Sequence, residues 1–300
     1  MIVYDKIFES EEEKRRFTEY CDGLFSEQIL KCAEAIASDH RVRFILLSGP
    51  TCSGKTAAAS LLSAALTQMG KNIRTVSIDD FYKDSDKSGE ILDTVDYESI
   101  DAIDYPYFAA VAAALSAGEP VRLPVYDFVT GTRAGYQDFC PNADTVIIFE
   151  GIQVVYPEIA ALFTRENCKR ILISVGDEVL AYGRHFSDRE IRFTRRIIRD
   201  FKFRGTPPEG TFRMWKTVSE NEDRNIYPYI GDMDIVLKSF VPYEINVMAP
   251  LILEALAFVP SISAFADAAR EIAAKYAGIQ SISPDYVGED SFFREFIGKI

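Results

Sequence analysis

The sequence has little of what a metal cluster, a disulfide scaffold or a membrane protein needs. It holds two histidines, one tryptophan and five cysteines in 300 residues. The cysteines (Cys21, Cys32, Cys52, Cys140, Cys168) are odd in number and scattered, without a C-x-x-C pair. Neither a disulfide framework nor a zinc cluster is expected, and a reducing, cytoplasmic setting is. Positive charge is scarce overall: 33 Lys and Arg stand against 46 Asp and Glu, a formal net charge of −13. Coating of duplex DNA or of an anionic bilayer needs the opposite sign, so neither nucleic acid nor membrane is expected as a partner. The most apolar stretch, Tyr105–Ala117, is far shorter than the roughly 20 residues of a membrane span. The opening MIVYDKIFESEEEK has no basic segment leading into an apolar one, so a secretory signal is not expected. Repeats and low-complexity segments are absent too. With 48% hydrophobic and 26% charged residues, the composition is that of an ordinary globular protein of one large domain or two small ones.

What is present alternates in character along the chain. Residues 9–40 carry Glu, Lys and Ala with apolar residues at helical spacing, predicting one or two amphipathic helices. Short apolar runs at 43–47 (RFILL), 145–149 (TVIIF), 170–175 (RILISV) and 234–237 (DIVL) read as strands, and 72–78, weakly alternating and β-rich, reads as another. A helix is expected over 55–69, stopped by Gly70, and others over 243–258 and 263–276. Pro124 interrupts the extended run 120–128, which reads as an edge or hairpin element. Strands separated by helices predict an α/β fold with a mostly parallel, helix-covered sheet. The tail from Ser281 is expected to be a packed irregular terminus.

The string Gly49-Pro50-Thr51-Cys52-Ser53-Gly54-Lys55-Thr56 matches G-x-x-x-x-G-K-[ST] throughout. Glycines let backbone N–H groups curl around a phosphate, and a helix N-terminus adds its dipole. Lys55 reaches the β and γ oxygens, and the Thr56 hydroxyl suits Mg²⁺. The string follows a predicted strand and opens a predicted helix, as that mechanism requires, so the chain is read as binding a nucleoside triphosphate. Cys52, inside the loop, reads first as a small residue filling the turn, and second as a thiol at a helix N-terminus whose alkylation bound nucleotide would slow.

A signalling GTPase would need an Asn-Lys-x-Asp or Thr-Lys-x-Asp motif, and a transporter ATPase an LSGGQ-like string; neither occurs. The D-x-x-G match at 86–89 follows no apolar strand and is read as coincidence. A small-molecule kinase remains, and it needs carboxylates and mobile arginines. Asp79 and Asp80 end the second predicted strand, and Glu150 ends the next. Parallel strands open their C-terminal ends onto one edge, so Asp79 and Glu150 are expected to face Mg²⁺ beside the phosphate loop. Residues 184–204 hold eight Lys and Arg against three acids, with Arg192, Arg195 or Arg196, and Arg199 on one helical face. This segment is expected to be a lid that closes over phosphates.

The strings GPTCSGKT, SIDDFYKD, DYESIDAID, LPVYDFVTGTR, IIFEGI and RRIIRDFKFRG, in that order, resemble the uridine kinase and phosphoribulokinase family over about residues 41–240. The closest resemblance is to a uridine kinase-like, bacterial nucleoside kinase-like branch that carries a C-terminal extension. The resemblance implies a three-layer P-loop NTPase fold with an arginine-bearing helical lid and added N- and C-terminal helices. It divides the chain into an N-terminal helical segment (1–40), a kinase domain (41–240) and a C-terminal extension (241–300), packed as one unit. It further implies ATP and Mg²⁺, with γ-phosphoryl transfer to a nucleoside-like acceptor such as uridine or cytidine. In that reading Asp79 is the general base and, with Thr56 and Glu150, a metal ligand. Lys55, Arg196 and Arg199 are catalytic, and Arg204 joins residues 49–56 in holding ATP. Tyr82, Glu98, Tyr126, Arg133 and Arg196 would bind the acceptor. Relatives often assemble, so a homo-oligomer is among the expected states.

The sequence departs from the family pattern at Gly131, where uridine kinases carry a pyrimidine-reading His, and at Gly205-Thr206 in place of Gly-Arg. Glu98 stands where Asp is usual. His40 and His185 lie outside that motif and read as solvent-facing or capping residues. Two alternatives stay open: a regulatory module that binds nucleotide without an acceptor pocket, and a kinase of another alcohol or a phosphosugar.

Overall fold

The computed structural model describes residues 1–84 and 97–298, and the D-x-x-G string at 86–89 lies outside them. Strand β1 (Ile2–Tyr4) leads to helix α1 (Glu11–Ser38), then β2 (Phe44–Ser48), α2 (Lys55–Gln68) and β3 (Asn72–Ser77). After α3 (Tyr105–Ala117) comes a hairpin of β4 (Val121–Asp127) and β5 (Thr132–Phe139), then β6 (Thr145–Glu150), α4 (Pro157–Ala160) and β7 (Cys168–Ser174). Two short strands, β8 (Val179–Ala181) and β9 (Arg184–Phe186), precede α5 (Asp188–Phe203), α6 (Pro208–Asn225) and β10 (Ile235–Lys238). Helices α7 (Glu244–Leu256), α8 (Ala266–Tyr276) and α9 (Arg294–Ile297) end the chain.

The central sheet has five strands in the order β10-β7-β2-β6-β3, all parallel. Strands β2 and β6 are buried along their whole length because both faces are covered. Their apolar runs serve two cores by simple alternation. Ile45, Leu47, Val146, Ile148, Ile171 and Ile173 face the core that includes α1, α2, α5 and α7. Phe44, Leu46, Ile147, Phe149 and Leu172 face the one under α3 and the hairpin. Strand β2 lies between β6 and β7, so its C-terminal end opens at a crevice where the chain leaves in opposite directions, the usual ligand position in such sheets.

Residues 9–40 form one helix rather than two. Ser10 caps it by accepting from the Glu13 N–H, and Cys21, Phe25, Ile29, Cys32, Ala33 and Ile36 make its buried stripe. Two features escape the helical reading of the N-terminus. Strand β1 pairs in parallel with β8, and β8 with β9, in a separate three-stranded sheet. Chain ends also interlock: the Phe8 N–H donates to Gln280 Oε1 (2.8 Å), and Gln280 Nε2 returns a bond to Phe8 O (2.9 Å).

Candidate active site

The loop after β2 is shaped by steric demands that only glycine meets. A Cβ on Gly49 would stand 2.1 Å from the Ile173 carbonyl oxygen, and Gly54 holds φ +96°. Cys52 takes φ +56°, an unusual conformation for a residue with a Cβ. Lys55 donates from Nζ to Pro50 O (3.0 Å), folded over the loop. Helix α2 has no side-chain cap of its own, and intrahelical bonding begins with Ala58 N–H to Gly54 O at 2.9 Å. The N–H groups of residues 55–57 therefore precede the helical ladder, as anion-binding donors do. The Cys52 side chain is only 3% exposed, so nucleotide shielding of its thiol has little to act on.

Arg192 and Arg195 depart from the lid expectation. Both are 0% exposed. Arg192 pairs with both Glu222 oxygens (2.7 and 2.9 Å) and donates to Thr51 O (3.2 Å), while Glu222 Oε1 accepts the Thr51 N–H (3.0 Å). Arg195 pairs with both Glu244 oxygens (2.8 and 2.9 Å) and donates to Cys52 O (3.2 Å). Removing a guanidinium from water is tolerable only with such complete pairing. These two side chains clamp the phosphate loop from beneath. Buried Ile191, Phe193, Ile197 and Ile198 pack around these ion pairs, and together they hold α5 in place.

The other arginines of α5 gather on one carboxylate. Asp200, buried, accepts from Arg196 Nε (3.3 Å) and from Arg199 Nε and Nη2 (3.0 and 2.9 Å), with Arg204 Nε 3.8 Å away. Arg196 Nη1 also reaches Thr51 Oγ1 at 3.4 Å. Three cations sharing one anion beside the loop leave a net positive pocket suited to phosphate oxygens.

The two acids meet as the strand argument requires. Register pairs Ser77 with Glu150 and Leu47 with Glu150, and the chain turns from Ser77 directly into Asp79. Gly151 passes so close that a Cβ there would lie 2.4 Å from Ile78 Cγ2 and 3.7 Å from Asp79 Oδ1. Burial, then the Asp79 charge, pushes the Glu150 carboxyl up to about 7, against the pull of Lys55. Burial likewise raises Asp79, opposed by the neighbouring Tyr82 hydroxyl and by Lys55. Two adjacent carboxylates that resist sharing negative charge are hard oxygen donors of the kind Mg²⁺ takes, and the Thr56 hydroxyl lies on the first turn of α2. Asp80 is turned away, its Oδ1 accepting the Tyr126 N–H at 3.1 Å.

Beside Asp79 stands an aromatic group. Tyr82 donates to Tyr97 O (2.8 Å) and meets Tyr97, Tyr126 and Phe128 at centroid distances of 5.2, 5.7 and 6.4 Å. The charges of Asp79 and Glu98 both act on the Tyr82 hydroxyl, after burial, to raise it well above the phenol range. Phe128 is exposed at the hairpin tip. Arg133 is held elsewhere on the hairpin, by Asp104 Oδ2 and the Tyr136 hydroxyl, both at 3.1 Å. Gly131 has φ +66° and donates to Asp127 O (2.8 Å), so the turn itself favours glycine at this position. His185 sits on β9 beside Glu178 (3.0 Å) and His40 is exposed, both apart from these groups.

Sequence reasoning missed Glu222, Glu244 and Gln153, whose Nε2 donates to Tyr97 O at 2.6 Å. It also missed Glu295, whose Oε2 accepts the Ala57 N–H at 3.2 Å. Only Asp200 had a local signal, lying inside the basic string.

The family model for phosphoribulokinases and uridine kinases matches residues 44–245. A uridine kinase from Lactobacillus helveticus is 31% identical over 195 residues, 64% of this chain and 83% of that protein. One from Schizosaccharomyces pombe is 29% identical over 201 residues, 66% of this chain. That match spans 40% of the yeast protein's length, and a match to mouse uridine-cytidine kinase-like 1 spans 32%. A solved structure from Silicibacter sp. TM1040, named as a candidate fructose transport system kinase, shares the fold. Its TM-score is 0.50 at 17% identity, covering 69% of this chain and 98% of that one.

Proposed function

The chain belongs to the phosphoribulokinase and uridine kinase family, and we propose that it is an ATP-dependent kinase of a nucleoside-like alcohol. The observation that carries this reading is the convergence at one sheet edge of the phosphate loop, the Asp79–Glu150 pair and the Tyr82 aromatic group. Residues 49–56 hold the triphosphate, with Lys55 exchanging Pro50 O for the β and γ oxygens. Thr56, Asp79 and Glu150 would hold Mg²⁺, which would supply positive charge to neutralise the phosphates. Tyr82, Glu98 and Tyr126 border the acceptor. Asp79 takes the proton of the acceptor hydroxyl as its oxygen bonds to the γ-phosphorus. The bond from that phosphorus to the β–γ bridging oxygen breaks, and ADP leaves with that oxygen. Arg196, Arg199 and Arg204 balance the charge spread over the transferring group.

Gly131 offers no side chain to a base, and this favours, as a second reading, the same chemistry on a smaller alcohol or phosphosugar. Measuring ATP consumption with nucleosides, sugars, phosphosugars and pantothenate-like alcohols separates these acceptors. Asp79→Asn is expected to cut turnover at least about a hundredfold while ATP still binds. An absence of stimulated turnover with every acceptor would refute the kinase reading and leave a nucleotide-binding regulator.

A further inference from the structure

The start of α2 is closed by a residue from the far end of the chain. Nothing local caps this helix, since Gly54 has no side chain and its first turn holds no acid. Glu295 supplies the missing acceptor across 238 residues, its Oε2 3.2 Å from the Ala57 N–H. That N–H is the last of the three donors that precede the helical ladder. In a phosphate loop such donors are directed at the nucleotide.

The segment is seated by its neighbours. Phe292 Cδ2 would be 3.0 Å from a Cβ on Gly54, so the ring lies directly against the loop's tightest turn. It also packs on Phe25 of α1 at 4.1 Å. Phe292, Phe293 and Phe296 sit 5.9, 5.9 and 4.7 Å from the buried Arg195 guanidinium that holds Cys52 O. Ser291 Oγ anchors the near side by donating to Asp22 Oδ1 at 2.7 Å. A phosphate could not approach the Ala57 N–H while an anionic oxygen occupies it, both for space and for charge.

We propose that the C-terminal segment 288–298 competes with nucleotide for the phosphate loop, its Glu295 carboxylate standing where a phosphate oxygen would bind. The inference rests on reading that loop as a nucleotide site. In the ligand-free protein the segment satisfies the helix end and occupies the donor. Bound ATP displaces Glu295 and loosens the contacts around it.

Two measurements on the full chain test this, with Lys55→Ala as the control for nucleotide binding. Hydrogen–deuterium exchange of peptides covering 288–298 should rise when saturating ATP and Mg²⁺ are added to the wild type. Titration with a fluorescent ATP analogue should show Glu295→Gln binding roughly tenfold tighter than wild type, since a charged competitor has gone. Binding by Glu295→Gln alone would support the proposal equally. Lys55-dependent binding with unchanged or slower exchange at 288–298 would overturn it and leave the nucleotide site standing. So would equal affinity of the two proteins. Absence of binding in both would instead remove the nucleotide reading and the competition with it.

Discussion

Glu244→Gln is the sharpest test of how the phosphate loop is supported. The change keeps the shape of the side chain and removes the one carboxylate that pairs with Arg195 among the described residues. Arg195 then stays buried with Ser239 O (2.8 Å), Ser239 Oγ (3.2 Å) and Cys52 O (3.2 Å) as neutral acceptors. Breaking a buried pair from one side typically costs about 3–5 kcal/mol, because a charge is left uncompensated. With a urea m-value of about 3 kcal/mol/M for a chain of this size, the unfolding midpoint should fall by about 1–1.7 M. Trp215, the sole tryptophan, stacks on Phe193 of α5 at 4.7 Å, so its fluorescence follows the packing of α5 on α6. Glu222→Gln is the comparison: Arg192 keeps Asp188 Oδ2 at 2.7 Å, so its loss should be smaller. The double replacement Arg195→Met, Glu244→Leu should be less damaging to stability than Glu244→Gln, since no charge remains buried. A Glu244→Gln midpoint within about 0.3 M of wild type, or a double variant worse than the single, would refute the reasoning.

Gly49→Ala should abolish ATP binding, since its Cβ would lie 2.1 Å from the Ile173 carbonyl; calorimetric titration with ATP and Mg²⁺ checks this. Burial pushes the Cys21, Cys32 and Cys168 thiols up to about 12, and Cys140 is exposed. Up to pH 9 the three buried thiols stay protonated, so mass spectrometry after iodoacetamide should find Cys140 labelled first and these three only after denaturation. Asp200→Asn leaves Arg196, Arg199 and Arg204 without their shared anion, and should lower the melting temperature and reduce kcat about tenfold or more; wild-type values for both would remove the cluster's proposed role.

Much of this arrangement is written in short-range pattern. The phosphate loop is eight consecutive residues whose glycines answer to backbone geometry alone. Strands β2 and β6 announce themselves as apolar runs because both are buried on two faces, and Glu150 is legible because it ends one of them. The edge strand β3, which leads to Asp79, is more exposed and shows only weak alternation. Strand β1 was not, being three residues long with a single buried side chain. The basic helix illustrates the limit most clearly. Its charge count predicted a lid, yet the same residue type plays two parts set by which way each side chain points in the fold. Arg192 and Arg195 are sealed inside, whereas Arg196, Arg199 and Arg204 gather beside the loop.

By itself the sequence determined the fold class, the phosphate loop and the edge at which the acids stand. Those depend on hydrophobic periodicity and local sterics, which neighbouring residues decide among themselves. Only the tertiary structure decided which carboxylates answer the arginines and the loop. Glu222 reaches Thr51 across 171 residues and Glu295 reaches Ala57 across 238. No spacing rule links such partners. Each is chosen because a buried cation or an uncapped N–H must be satisfied by whatever acid the packed core brings within reach.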